Sequence, residues 1–372
     1  MRRIFLVFML LLNIFEVSAA AISAKSAVLI DGMSGRILYG HNAYEKLPMA
    51  STTKIMTGLI ACESGKLKEN VKTSAVASGT EGSSLWLKIG ETQTLENLTY
   101  GLMLKSGNDA AVAIAEYLGG SIDAFSLLMN KRAMGIGAVN TNFKNPHGLD
   151  AEEHYTTAYD LALIAREAMK NDTFRKIVST KNYTIPQEGE KWDRALKNHN
   201  KLLWQYEGCN GVKTGFTKKC GRCLVSSAER NGMRLICVTL NASDDWNDHK
   251  YLLDYGFTNY KGKTVAKKGE KVTEVLYDDK HKRTVNIIYG DDYAVMVGNN
   301  DVITTQIEMK NITPPLEKGG SAGVMKIYCN GELIGGTELI TDKEIRGMSN
   351  WEKISYKIKN IVFKLIPIEK DQ

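Results

Sequence analysis

Pro48-Met49-Ala50-Ser51-Thr52-Thr53-Lys54-Ile55-Met56-Thr57 is the stretch from which the rest of the 372-residue chain is read. The spacing predicts a helix that Pro48 introduces and that runs through Leu59 and Ile60 toward Gly65. Ser51 and Lys54 then lie on one helix face. A serine hydroxyl is a poor nucleophile at neutral pH, and a desolvated lysine is one of the few side chains able to take its proton. Ser51 also falls near the helix N-terminus, where unpaired N–H groups and the dipole favour developing negative charge. On a surface helix the same pair is merely solvated, so the spacing acquires meaning only with partners elsewhere in the chain.

Upstream, residues 26–30 alternate as a strand, Asp31-Gly32-Met33-Ser34-Gly35 is a turn, and residues 36–40 return as a second strand. Downstream, residues 94–105 read as a helix with Leu95, Leu98 and Leu102 on its buried side. Ser106-Gly107-Asn108 interrupts it, and residues 109–118 resume as an Ala-rich helix for which Asn108 is the expected N-cap. Further helices are expected at 121–134 and from Thr156 to about Met169, with a turn at Asn145-Pro146-His147-Gly148-Leu149 between them. Beyond Trp204 the pattern changes to β-runs at 211–216, 221–230 and 233–242, the last two joined by the hairpin dipeptide Asn231-Gly232. Residues 248–257 close the region as a helix. Strands at both ends with helices between them give an α/β domain over 22–260. Short β-runs separated by turns then give a small all-β domain over 264–341.

Composition is that of an ordinary globular protein: 43% apolar, 24% charged, with a net charge of +6. That charge is spread too evenly for a nucleic-acid binder, but suits an anionic envelope surface. Met1-Arg2-Arg3, the apolar run 4–14 and the small residues Val17-Ser18-Ala19-Ala20-Ala21 read as a signal peptide over 1–21. At the other end, Trp351, Ile354, Ile358, Ile361, Val362 and Leu365 share one helical face while Lys353, Lys357, Lys359 and Lys364 occupy much of the rest. The expectation is an amphipathic helix over 349–366 lying on a membrane surface, ended by Pro367. Cys220-Gly221-Arg222-Cys223 has neither a second C-x-x-C nor an H-x₃-H partner, which argues against a four-ligand zinc site. Cys223 and Cys237 fall on hairpin partners, so a local disulfide is one expectation and incidental thiols the other. His147 and His154 read as turn residues rather than metal ligands.

Ser51-x-x-Lys54 opening a helix, Ser106-Gly107-Asn108 in an inter-helix loop and Lys213-Thr214-Gly215 on a strand occur in that order. S-x-x-K, S-D-N and K-T-G together are the signature of penicillin-binding proteins and class A β-lactamases. The chain resembles one family closely, the serine-type D-alanyl-D-alanine carboxypeptidases, which are low-molecular-mass penicillin-binding proteins. The likeness includes Asp31-x-x-Ser34-Gly35-x-x-Leu38, the 145–149 turn, the run from His154 to Ala162, and Asn198-His199-Asn200-Lys201-Leu202-Leu203 ahead of Lys213. It extends to the β domain and the amphipathic tail.

The resemblance implies a penicillin-binding-protein-like catalytic domain, an antiparallel sheet with helices, acting on peptidoglycan stem peptides at the outer face of the cytoplasmic membrane. Ser51 would attack the penultimate D-Ala carbonyl, Lys54 would take its proton, and Ser106 would relay a proton to the leaving amine. Asn108 would position the substrate backbone, and Lys213 and Thr214 would face the terminal carboxylate. Gly215 would leave room for substrate beside the strand, and the N–H groups of Ser51 and Phe216 would form the oxyanion hole. β-Lactams would be covalent inhibitors, and no cofactor is implied. Ser-Gly-Asn in place of Ser-Asp-Asn favours a carboxypeptidase over a class A β-lactamase. The resemblance also implies a carboxylate-binding arginine after the third strand; here the chain reads Ser243-Asp244-Asp245-Trp246-Asn247-Asp248. A transpeptidase or β-lactamase using the same acyl-enzyme, and a non-catalytic envelope-binding protein, remain as alternatives.

Overall fold

The computed structural model describes residues 22–187, 189–278, 283–312, 315–345 and 366–367. The expected signal peptide and residues 349–365 of the expected tail helix lie outside them. Ile366, expected at the end of that helix, belongs instead to a two-residue strand, Ile366–Pro367, paired with Thr305 and Thr304.

Five strands form the central antiparallel sheet: β1 (Ser26–Asp31), β2 (Ile37–His41), β3 (Cys209–Thr217), β4 (Gly221–Arg230) and β5 (Met233–Ala242), in the order β2-β1-β5-β4-β3. The β4–β5 turn works as its sequence dictates. Asn231 and Gly232 both take positive φ, 51° and 75°, which a two-residue hairpin turn needs. The order leaves β3, the Lys213 strand, at an edge of the sheet.

Against this sheet packs a helical layer. Its members include α1 (Lys54–Glu63), α2 (Leu95–Leu104), α3 (Asn108–Gly119), α4 (Ile122–Ile136), α5 (Ala158–Ala168) and α6 (Asp172–Ser179). α1 is buried almost all round, from Lys54 to Cys62, and is therefore the axis of the core rather than a surface helix. α2 is capped by Thr94, whose hydroxyl accepts the Asn97 N–H at 3.1 Å. α7 (Asp245–Asn259) covers the other side of the sheet, and starts three residues earlier than its sequence periodicity suggests.

The β region begins with β6 (Tyr260–Ala266), which pairs with β8 of the second unit's strands β7 (Arg283–Tyr289) and β8 (Tyr293–Gly298). A separate six-stranded sheet contains β7, β9 (Ile303–Met309), β10 (Ser321–Cys329) and β11 (Glu332–Thr341), together with the strand Lys271–Asp278 and the Ile366–Pro367 pair. Neither β6 nor β11 is expected from the sequence. β6 is lysine-rich and half exposed, and β11 is interrupted by Gly335-Gly336, so neither shows a clean alternation. The two parts of the molecule are tied together by Arg36, which donates to both carboxylate oxygens of Asp301 at 2.6 and 2.8 Å. The Met296 N–H adds a bond to Asp31 at 3.2 Å.

All six cysteines are free thiols, five of them buried. The β4–β5 register sets Cys237 opposite Ser226, with Cys223 further along the strand, so the hairpin does not bring those two sulfurs together as a bridge.

Candidate active site

Ser51 sits on a single 3-10 turn, Ala50–Thr53, that leads directly into α1. Ala50 takes a left-handed φ of 49°, a costly conformation for a non-glycine residue, and one that aims the turn at the cleft. Two glycines allow this turn its position. A Cβ on Gly148 would lie 1.9 Å from the Ala50 carbonyl oxygen, so the 145–149 turn can back the nucleophile only with glycine there. A Cβ on Gly215 would lie 3.1 Å from the amide nitrogens of both Ser51 and Thr52. What Gly215 admits is thus the nucleophile turn itself, closing on β3.

One turn after Ser51, Lys54 is completely buried. Its Nζ is 2.9 Å from Ser51 Oγ, 2.7 Å from Asn108 Oδ1 and 2.6 Å from the His147 carbonyl oxygen. Burial, and then the charge of Lys213, hold its pKa well below the ordinary lysine value, while Asp109 acts in the opposite sense. A neutral amine has two N–H groups and one lone pair. Asn108 and His147 accept the two hydrogens, which leaves the lone pair for the Ser51 hydroxyl.

Asn108 is the first residue of α3, with Gly107 in the cap position, so it does not serve as the expected N-cap. Its side chain is otherwise engaged: Oδ1 accepts from Lys54, and Nδ2 donates to the Glu81 carbonyl at 2.6 Å. Ser106, buried with a left-handed φ of 64°, projects from the same loop into the cleft. Next to Asn108, the buried carboxylate of Asp109 accepts from the N–H groups of Leu85, Leu87 and Ala110 and from the Ser84 hydroxyl. That set latches the 83–87 loop, one rim of the cleft, to the start of α3.

The opposite wall is β3. Lys213 is buried, donates to the Thr214 carbonyl at 2.8 Å, and is held by burial at a pKa of about 7. Thr214, Gly215 and Phe216 line the open cleft, whose volume is about 350 Å³, along with Ser51 and Ser106. The structure therefore brings all eight residues singled out in the sequence to one place, in two tiers. Ser51, Ser106, Thr214, Gly215 and Phe216 face the cleft; Lys54, Asn108 and Lys213 are buried beside them.

His147 and His154 hold turns. The Leu149 N–H donates to His147 Nδ1 at 3.1 Å, and His154 Nε2 meets the Thr53 hydroxyl at 2.8 Å. Sequence reasoning missed the His147 carbonyl and Asp109, since nothing in a motif reports a main-chain acceptor. It also missed Arg222, which lines the cleft with Trp246. Here a signal existed: the hairpin register sets Arg222 directly opposite Phe216.

Two family models match the chain: D-alanyl-D-alanine carboxypeptidase over residues 13–244, and the penicillin-binding protein 5 C-terminal domain over residues 260–346. The D-alanyl-D-alanine carboxypeptidase DacF of Bacillus subtilis (strain 168) is 34% identical over 361 residues, covering 90% of this chain and 92% of that protein. DacC of Escherichia coli (strain K12), of the same description, is 33% identical, covering 88% of this chain and 86% of its own. Among solved structures, penicillin binding protein 5 from Haemophilus influenzae is similar with a TM-score of 0.71 and 30% identity, covering 89% of this chain and 99% of that one.

Proposed function

The chain belongs to the D-alanyl-D-alanine carboxypeptidase family, and from that membership we propose how its cleft carries the reaction. It is a serine-type carboxypeptidase that removes a terminal D-alanine through an acyl-enzyme, and as a penicillin-binding protein it is acylated by penicillins. Its substrate is the stem pentapeptide of peptidoglycan. Ser51 Oγ attacks the penultimate D-Ala carbonyl as its proton passes to the Lys54 lone pair. The N–H groups of Ser51 and Phe216 stabilise the oxyanion. The C–N bond then breaks, Ser106 relays a proton to the departing amine, and free D-Ala leaves. Water, deprotonated in turn by Lys54, attacks the ester and restores Ser51. Asn108, expected to orient the peptide backbone, instead holds the base in place through its bonds to Lys54 and the Glu81 carbonyl, and Thr214 hydrogen-bonds the terminal carboxylate. The edge position of β3 supports a substrate that adds to the sheet as a further strand.

The single observation that carries this reading is the 2.9 Å approach of a fully buried Lys54 to Ser51. The test incubates purified protein with a stem pentapeptide and with labelled penicillin. The expected result is free D-Ala, and a slowly lost label that is absent in Ser51→Ala. Label retained in Ser51→Ala would overturn the mechanism. Products coupled to an added amine would make the protein a transpeptidase, and rapid release of hydrolysed penicillin would make it a β-lactamase.

The reading places the enzyme at the outer face of the cytoplasmic membrane. It is supported by the leader-like sequence of 1–21 and by the lysine-rich amphipathic pattern that Trp351 opens. Deleting residues 349–372 is expected to release the protein from anionic vesicles in a sedimentation assay; unchanged sedimentation refutes the anchor.

A further inference from the structure

A peptide ending in D-alanine brings a full negative charge to the cleft, a few ångströms from the carbonyl that Ser51 attacks. Lys213, the buried lysine of β3, is already bonded to the Thr214 carbonyl, and burial lowers its pKa to about 7. No arginine occurs in the 243–248 stretch, where the resemblance implies one. The cleft nevertheless carries a permanently charged group. Arg222 of β4 stands across the ladder from Phe216 and lines the cleft with Thr214 and Gly215.

The guanidinium is built into position. Its Nε donates to Asp245 Oδ1 at 2.9 Å, and Nη2 reaches the same oxygen at 2.7 Å. The Asp245 side chain is only 4% exposed, whereas that of Arg222 is 43% exposed. The carboxylate thus fixes one edge of the guanidinium, while N–H groups not used by Asp245 remain for a ligand. Trp246 supports the arrangement, its ring centroid 5.8 Å from Arg222 Cζ and 5.9 Å from Lys201 Nζ. Lys201 lines the same cleft. Two solvent-accessible cations therefore flank one aromatic ring at one end of the cleft, with a single buried carboxylate to balance them.

Resting on the carboxypeptidase reading, we propose that Arg222, positioned by Asp245 and Trp246 and assisted by Lys201, forms the subsite for the substrate's terminal carboxylate. The specificity for a free C-terminus then comes from β4 and the start of α7, not from an arginine after the third strand. Arg222 is the group that touches the carboxylate; Asp245 is a positioning residue acting through it.

The experiment compares two peptides that differ only at the end, one with a terminal D-Ala-D-Ala carboxylate and one with the corresponding C-terminal amide. In the wild type, kcat/KM is expected to favour the carboxylate. In Arg222→Gln the KM for the carboxylate peptide should rise about ten- to a hundredfold, while the KM for the amide peptide changes far less. Arg222→Lys should recover part of the preference, and Asp245→Asn should lose part of it. A wild type that releases D-Ala but shows no preference for the carboxylate overturns the subsite alone. So does an Arg222→Gln variant that keeps the preference, or that loses both peptides equally. A wild type that processes neither peptide overturns the underlying reading instead.

Discussion

Lys54 has three partners and no solvent, and the chemistry follows from the protonation state this selects. As an ammonium it would donate to Ser51 and hold the hydroxyl as an acceptor, which is the wrong polarity for attack. As an amine it gives its hydrogens to Asn108 and His147 and accepts from Ser51. Desolvation does most of the selecting, and Lys213 adds to it. The sign of one substitution is therefore fixed. Lys213→Met, of similar shape without the charge, removes a repulsion, so the Lys54 pKa rises and the free amine persists only at higher pH. The acid limb of the penicillin acylation rate should move toward higher pH in this variant. A limb that stays put or moves to lower pH would show that Lys213 does not tune the base. At this scale the motifs told much: Ser51, Lys54, Ser106 and Lys213 are all where their spacing suggested. They told nothing of the His147 carbonyl, because its role belongs to a backbone atom of a turn nearly a hundred residues away.

Among the elements, the nucleophile turn is held between two glycines that act differently. Gly148 has a φ of +89° and would place a Cβ 1.9 Å from a backbone oxygen, so Gly148→Ala combines strain with a clash that no rotamer relieves. A loss of roughly 2–4 kcal/mol is expected, visible as a lower melting temperature. Gly215 has no such strain, and its Cβ would meet the Ser51 and Thr52 amides at 3.1 Å. Gly215→Ala should therefore fold nearly as well, yet push β3 off the oxyanion-forming amides and lower acylation by about a hundredfold. Equal stability losses in the two variants would refute this division. The sheet was legible because apolar runs at 223–225 in β4 and 235–238 in β5 flank a turn whose residues force a hairpin. Two elements were not. α6 carries its period in Phe174, Ile177 and Val178 behind an Asn171 cap, but in only eight residues, while the short hairpin of Asn182–Ile185 with Arg194–Lys197 offers four residues a strand. Arg222 escaped notice because, read along the chain, it sits between two cysteines; only pairing across to Phe216 shows its direction.

For the whole molecule, the two β-rich parts and the helical layer should respond differently to acid. His147, His154 and His249 are buried and kept neutral, desolvation lowering their pKa values to about 3, about 4 and about 3. In the unfolded chain each titrates near 6.5. Between that value and about 4 the unfolded state binds more protons, so stability rises with pH and is lost as pH falls below 6.5. Each such histidine costs roughly 1.4 kcal/mol per pH unit well below 6.5. His249 shows where the penalty lands, since its ring joins α7 to Ser226 of β4 at 2.6 Å and to Thr239 of β5 at 3.0 Å. Among the described residues, the β unit beyond Tyr260 has no histidine. Its link to the catalytic unit runs through Asp301, where burial would raise the pKa but bonds from Arg36 and the Gly298 N–H override it and hold it below the usual carboxylate range. That contribution is present above the unfolded carboxylate pKa and is lost only as pH falls through the lower folded value. Calorimetry at pH 7 and pH 5 should therefore show the catalytic unit's transition falling by about 10 °C while the link to the β unit stays intact. His249→Gln should lessen the fall by removing one of these proton-linked sites. A transition equally stable at both pH values would mean that these rings are already charged in the folded protein.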